Sequence, residues 1–194
     1  MLRVMPLIVV LPVALMLAGC PEEPAVDDYI DPDVIVDEEA PPPEEVEAEE
    51  APDFTVELAH DGEVSLADYE GRILVLDFWA TWCTSCVREL PEYQELYDEW
   101  DQDQVEYLGM SLDTDMPIIE AFLDGRDDLT LPMALASEDV VEAYLGARRT
   151  LPSSRVIDGD GMIRYSFTGP ATAQVGAAVE ALLEEMQADA DDAD

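Results

Sequence analysis

The 194-residue sequence predicts one α/β domain, a central mixed sheet flanked by helices, with a tail at either end. Three observations carry this expectation. Strand-like and helix-like segments alternate through the middle of the chain. A nearly unbroken apolar run, Arg72-Ile73-Leu74-Val75-Leu76-Asp77-Phe78-Trp79, has the length and composition of a strand buried on both faces. The alternation then gives way to a hairpin and a final helix, as a mixed sheet requires. With 48% hydrophobic residues the chain can build one ordinary core, and two would be thin.

The elements follow in order. Phe54 to Leu58 and Glu63 to Leu66 flank His60-Asp61-Gly62, which suits a turn and predicts an extra N-terminal β-hairpin. After the apolar strand a helical pattern runs from Thr84 to about Trp100, with Pro91 inside it as a kink. Val105 to Leu112 reads as a strand and Met116 to Leu123 as a helix with Pro117 in its first turn. A helix from Glu138 to Leu145 ends near Gly146. Ser154 to Ile157 and Met162 to Phe167 bracket Asp158-Gly159-Asp160-Gly161, a hairpin signal. The closing helix, Thr172 to about Gln187, places Val175, Val179, Leu182, Leu183 and Met186 on one side.

The tails differ in kind. Residues 1–19 read as a secretion signal: Arg3, an apolar run, then small residues before Cys20. Leu17-Ala18-Gly19-Cys20 resembles a bacterial lipobox, which implies cleavage before Cys20 and lipid attachment to it. An uncleaved transmembrane anchor is the alternative, weakened by Pro6 and Pro12. Either way the domain is expected on a membrane, outside the cytoplasm. Residues 21–52 hold 14 acidic residues, no Lys or Arg and half of the chain's 14 prolines, so residues 20–52 read as anchor cysteine plus disordered linker. Such a spacer reaches about 30 Å coiled and up to about 100 Å extended. The domain is expected over 53–187, and 188–194 form an acidic tail that frays.

With Cys20 assigned to lipid, the mature chain keeps only Cys83 and Cys86, which have only each other for an intramolecular bond. A loop this short removes little chain entropy, so a structural staple does not explain the pair. Acidic residues number 47 against 8 arginines, for a formal net charge of −39, which makes nucleic acid a poor partner. Plain solubility explains the charge at least as well as a preference for basic partners or for high salt.

Cys83-Thr84-Ser85-Cys86 sits where the buried strand turns into a helix. Unpaired backbone N–H groups and the positive end of the helix dipole favour a thiolate at Cys83. Cys86, one turn on, is within reach of a disulfide. The first sulfur can then attack a partner disulfide and the second can resolve the mixed disulfide. Zinc normally takes four ligands, and two cysteines plus the lone His60 do not supply them. His60, in a turn, reads as exposed and inert. A peroxidase would want a threonine three residues ahead of its cysteine, where Ala80 stands.

Asp77-Phe78-Trp79-Ala80-Thr81-Trp82-Cys83-Thr84-Ser85-Cys86 resembles the active-site segment of thioredoxin-like proteins, and Pro91 falls where that family kinks its first long helix. Ala51-Pro52-Asp53-Phe54, Met110-Ser111-Leu112-Asp113 and Leu151-Pro152-Ser153-Ser154 further resemble the membrane-anchored, extracytoplasmic TlpA/ResA branch, over essentially residues 51–187. The resemblance implies a three-layer thioredoxin-like fold and a thiol–disulfide oxidoreductase with no bound cofactor and no metal. It implies a cis-proline at Pro152 facing the cysteines, with Leu151 offering backbone groups to an extended substrate. Asp77 matches a buried aspartate that manages the proton of the second cysteine, and burial should raise its pKa. Glu89 matches an acidic residue under the active site, although in so acidic a chain it could equally be a solvated helix charge. Trp82 is expected beside the cysteines as part of the substrate surface, and Trp79 in the core.

The implied partners are protein dithiols and disulfides, apocytochrome c by family analogy, and a membrane-embedded or soluble dithiol donor; a monomer is expected. Arg148-Arg149, the only adjacent basic pair, could favour the Cys83 thiolate or attract acidic substrate segments, or simply balance nearby carboxylates. Arg155 departs from the family pattern, and is expected either to pair with Asp77 or Glu89 or to point to solvent. A redox-inactive binding factor on the same fold and a thiol-dependent peroxidase are the competing functions.

Overall fold

A computed structural model of the chain describes residues 46–60 and 62–192. The signal, Cys20 and most of the linker lie outside the described residues. The strands are β1 Glu49–Glu50, β2 Thr55–Glu57, β3 Glu63–Ser65, β4 Ile73–Trp79, β5 Val105–Ser111, β6 Met133–Leu135, β7 Ser153–Ile157 and β8 Met162–Thr168. The helices are α1 Thr84–Glu99, α2 Met116–Leu123, α3 Glu138–Leu145 and α4 Thr172–Asp192. Six strands form one sheet in the order β1-β8-β7-β4-β5-β6, and β2-β3 form a separate hairpin. β4, β5 and β6 run parallel, β7 runs antiparallel to β4, and β8 antiparallel to β7. This is the expected mixed sheet with its extra hairpin.

Every residue of β4 is buried, as a strand covered by helices on both faces must be. The two-residue period sorts its side chains. Ile73, Val75 and Trp79 pack with Leu90 and Tyr93 of α1, Ile119 and Leu123 of α2, and Val175, Val179 and Leu182 of α4. Leu74, Leu76 and Phe78 face the other way, with Val140 and Tyr144 of α3 and with Phe54 and Val56 of the hairpin. Each such fully buried side chain contributes roughly 1.5–3 kcal/mol of transfer free energy. Asp77 is the polar exception on the α1 side.

Gly109 of β5 is required by close approach. A Cβ there would lie 3.0 Å from Trp79 Nε1 and collide with Met133 Sδ. Trp79 is fully buried, as expected, and its indole N–H has no acceptor among the described residues.

Three boundaries differ from expectation. β1 falls inside the predicted linker, where Glu49 and Glu50 pair with Ile163 and Met162 at the start of β8. β6 was not anticipated; it pairs with β5 and receives a bridge from Leu58 to Ala134. Segments ahead of β4 thus lie along both edges of the sheet, β1 on the first residues of β8 and Leu58 on β6. Helix α4 continues to Asp192 rather than ending near 187.

Candidate active site

The site forms where β4 ends and α1 begins. Cys83 is the N-cap of α1, and its sulfur accepts a hydrogen bond from Cys86 N at 3.3 Å. The two sulfurs are joined in a disulfide with a Cα–Cα separation of 5.3 Å. Cys83 is 8% exposed and Cys86 2%, so the first sulfur is the more accessible. Ser85 Oγ lies 3.5 Å from Cys83 Sγ. Trp82 is 66% exposed, so it stands out beside the pair rather than packing into the core.

The approach loop is pinned by a carboxylate that the sequence reading quoted but gave no role. Asp113 accepts hydrogen bonds from Thr81 N at 2.9 Å, Thr81 Oγ1 at 2.8 Å and Ser111 Oγ at 2.7 Å. These bonds fix the chain two residues ahead of Cys83. A hydroxyl at the end of β5 followed two residues later by an acid was the available signal, but such pairs are common in turns.

Across the sheet, Leu151–Pro152 is a cis peptide, as the resemblance implied. Ser153 pairs with Phe78, which sets Pro152 at the same end of the sheet as the cysteines. Pro152 is buried and its carbonyl accepts from Gly169 N at 2.9 Å. The amide and carbonyl of Leu151 make no hydrogen bond among the described residues, so they are free for an extended partner chain.

A buried polar chain links β4 to α1, β5 and β7. Asp77 is 2% exposed. Its carboxylate accepts from Ser154 Oγ at 2.9 Å and from Tyr107 Oη at 3.2 Å, and Tyr93 Oη lies 3.0 Å from the same Ser154 hydroxyl. Burial pushes the Asp77 pKa up to about 7; the Ser154 hydrogen bond opposes this, the charge of Glu89 adds to it, and the Tyr107 bond opposes it. Ser154, Tyr93 and Tyr107 were not singled out from sequence, because a tyrosine on an apolar face looks like any core aromatic.

Glu89 is buried, at 6% exposure, and is not a solvated helix charge. One carboxylate oxygen accepts from Ala171 N at 2.8 Å and from Thr172 Oγ1 at 3.0 Å, at the start of α4. The other is buried with no partner among the described residues. Glu89 also lines a groove of about 350 Å³ shared with Ser85, Arg88 and the residues that open α4.

Arg155 does neither of the two things expected of it. It lies on the opposite face from Asp77, because its chain neighbour Ser154, the register partner of Asp77, turns its hydroxyl toward the aspartate and side chains alternate along the strand. It is half-buried, and its guanidinium donates to Ser153 Oγ, to the carbonyls of Ser154 and Phe167, and to Tyr144 O. Burial draws its pKa down, and Glu49 counters part of this. Arg149 pairs with Glu138 and Glu142, the charge-balancing role, while Arg148 is exposed. His60 is exposed in its turn. No group of metal-ligating residues occurs among the described residues.

Residues 48–166 match the AhpC/TSA family. The chain belongs to that family. It is similar to the thiol-disulfide oxidoreductase ResA of Geobacillus kaustophilus, with 36% identity over 124 residues, 63% of this chain and 69% of the relative. Among solved structures, a thioredoxin-family thiol:disulfide interchange protein from Chlorobium tepidum superposes with TM-score 0.63 at 22% identity, over 71% of this chain and 98% of its own. The exposed lipoprotein thioredoxin Etrx1 of Streptococcus pneumoniae superposes with TM-score 0.57 at 25% identity, over 69% of this chain and 99% of its own. The fold is thioredoxin-like, and the protein is a thioredoxin-like thiol–disulfide oxidoreductase.

Proposed function

We propose that the protein reduces disulfides of exported proteins on the outer side of a bacterial membrane, with Cys83 as nucleophile and Cys86 as resolving thiol. The observation that carries thiol–disulfide exchange is the Cys83–Cys86 pair seated at the start of α1 within bonding distance, with Cys83 the more accessible sulfur.

In the reduced protein the helix start favours Cys83 as thiolate. It attacks one sulfur of the target disulfide; a bond forms between Cys83 and that sulfur, and the other target sulfur leaves as thiolate. Cys86 then loses its proton and attacks Cys83 Sγ. The mixed disulfide breaks, the second target thiolate leaves, and the Cys83–Cys86 bond forms. Two electrons pass from the pair to the target, and a dithiol donor restores them. Asp77, with a pKa near neutrality, and Glu89, with an open acceptor oxygen, are suited to take the Cys86 proton. Leu151 offers its free backbone groups to the target chain and Trp82 its exposed ring.

The lipobox-like Leu17-Ala18-Gly19-Cys20 and the Etrx1 likeness support a lipid anchor at Cys20. The similarity to ResA thiol-disulfide oxidoreductases supports protein disulfides as targets, and the family resemblance of the sequence extends the proposal to exported thiol proteins such as apocytochrome c. Cys86→Ser leaves the mixed disulfide unresolved, so the variant accumulates covalent adducts with target proteins on non-reducing gels, and Cys83→Ser accumulates none. An absence of adducts in Cys86→Ser, together with no insulin reduction by the wild type, refutes the reading.

A further inference from the structure

Beside the cis-proline, on the sheet face away from Asp77, the structure holds a pocket of about 180 Å³ lined by Leu145, Arg148, Thr150, Ser153, Arg155 and Thr168. Its lining has two guanidinium groups and no carboxylate, in a chain with 47 acidic residues. Three of the other described arginines pair with acids, Arg72 with Glu106, Arg149 with Glu138 and Glu142, and Arg164 with Asp158 and Glu185, while Arg126 stacks on the Phe122 ring. Arg155 instead donates only to neutral oxygens, and its Nε has no acceptor among the described residues. Glu49 acts on it through space without forming an ion pair. Arg148 makes no ion pair or hydrogen bond among the described residues, and the hydroxyls of Thr150 and Thr168 are likewise unpaired. A guanidinium fork held part-buried, next to a second arginine and two free hydroxyls, is matched to a planar carboxylate.

The position gives the pocket its meaning. Thr150 and Ser153 bracket Leu151–Pro152, and the side chains of an extended segment held at Leu151 would alternate in direction. We propose that this pocket is a subsite for an aspartate or glutamate side chain of the polypeptide whose cysteine is exchanged at Cys83. The inference rests on the thiol–disulfide reading of the site and adds a specificity to it: an overall acidic protein selects partners with an acidic residue near the reacting cysteine.

The test uses two disulfide-linked peptides of identical composition and net charge. In one, two glutamates flank the cysteine; in the other they are moved to the far end. Equal charge cancels the general repulsion from the protein, and about 0.15 M salt limits the remaining field to roughly 8 Å. The reduced full-length protein is expected to exchange the flanked peptide about fivefold to tenfold faster in kcat/KM, a ratio that falls to near one in Arg148→Gln and in Arg155→Gln. Arg148 is exposed, so its variant decides the matter even if Arg155→Gln fails to fold. Equal rates in the wild type, or a ratio that survives Arg148→Gln, overturn the subsite and leave the exchange chemistry standing. No exchange with either peptide or with insulin overturns the underlying reading, and the subsite with it.

Discussion

At the scale of single residues, Asp77 carries the clearest consequence. An acid whose folded pKa lies near 7, against about 3.9 in the unfolded chain, favours the folded state by binding its proton there. That contribution is fully present below about pH 4 and is lost progressively as pH rises through 7. The size is on the order of 4 kcal/mol. Asp77→Asn keeps an acceptor for Ser154 or Tyr107 but has no proton to lose. The stability of Asp77→Asn relative to wild type, from urea unfolding, is therefore expected to climb between pH 4 and 7 and then level off. Subtracting the two proteins removes the other carboxylates, which both share. A flat difference across that range is incompatible with Asp77 as a buried titrating group. The same substitution should erase the rise of exchange rate with pH near neutrality, which a purely structural role would not do.

At the scale of elements, much was legible because the signal was dense. Seven buried residues in a row make β4 unmistakable, and Pro117 and Gly146 mark the start of α2 and the end of α3. β6 and β1 were not legible. Three residues after Leu131-Pro132 are too few for a period, and Glu49–Glu50 join the sheet through backbone pairing, which their acidic side chains do not advertise. The cysteines were visible through local spacing, and Pro152 only through the family resemblance. Ser154 and Tyr107 were not, since they join Asp77 only once three strands are aligned.

Glu89 shows the same dependence on assembly: its partners are 82 and 83 residues away, at the start of α4. It ties α1 to α4 and lines the groove that also holds Ser85. Glu89→Ala removes both hydrogen bonds from a buried helix start and is expected to lower stability by about 1–3 kcal/mol. Glu89→Gln keeps a carbonyl acceptor for Ala171 N and should lose less than half as much, while slowing exchange to a similar degree. Urea unfolding of both variants beside their exchange rates separates the two roles, and a Glu89→Ala protein as stable as wild type would show that the α4 cap contributes nothing.

The whole molecule is governed by charge. A net −39 on 194 residues means that carboxylates repel one another across the folded surface more than in the expanded chain. Little inside offsets this, since arginine–carboxylate pairs among the described residues are few and mostly at the surface, where each contributes about 0–1 kcal/mol. Salt acts on that repulsion directly: the screening length falls from about 30 Å at 0.01 M to about 3 Å at 1 M. Raising NaCl over this range is therefore expected to stabilise the protein by on the order of 1 kcal/mol or more, a Tm rise of at least about 2–4 °C for a chain of this size. A charge-driven rise is steepest at low salt, where the screening length crosses the spacing of surface charges, and flattens above a few tenths molar. A Tm that stays constant below about 0.2 M and moves only at higher salt would mean that self-repulsion is not a determinant of stability, and would leave solubility as the whole reason for the acidic surface.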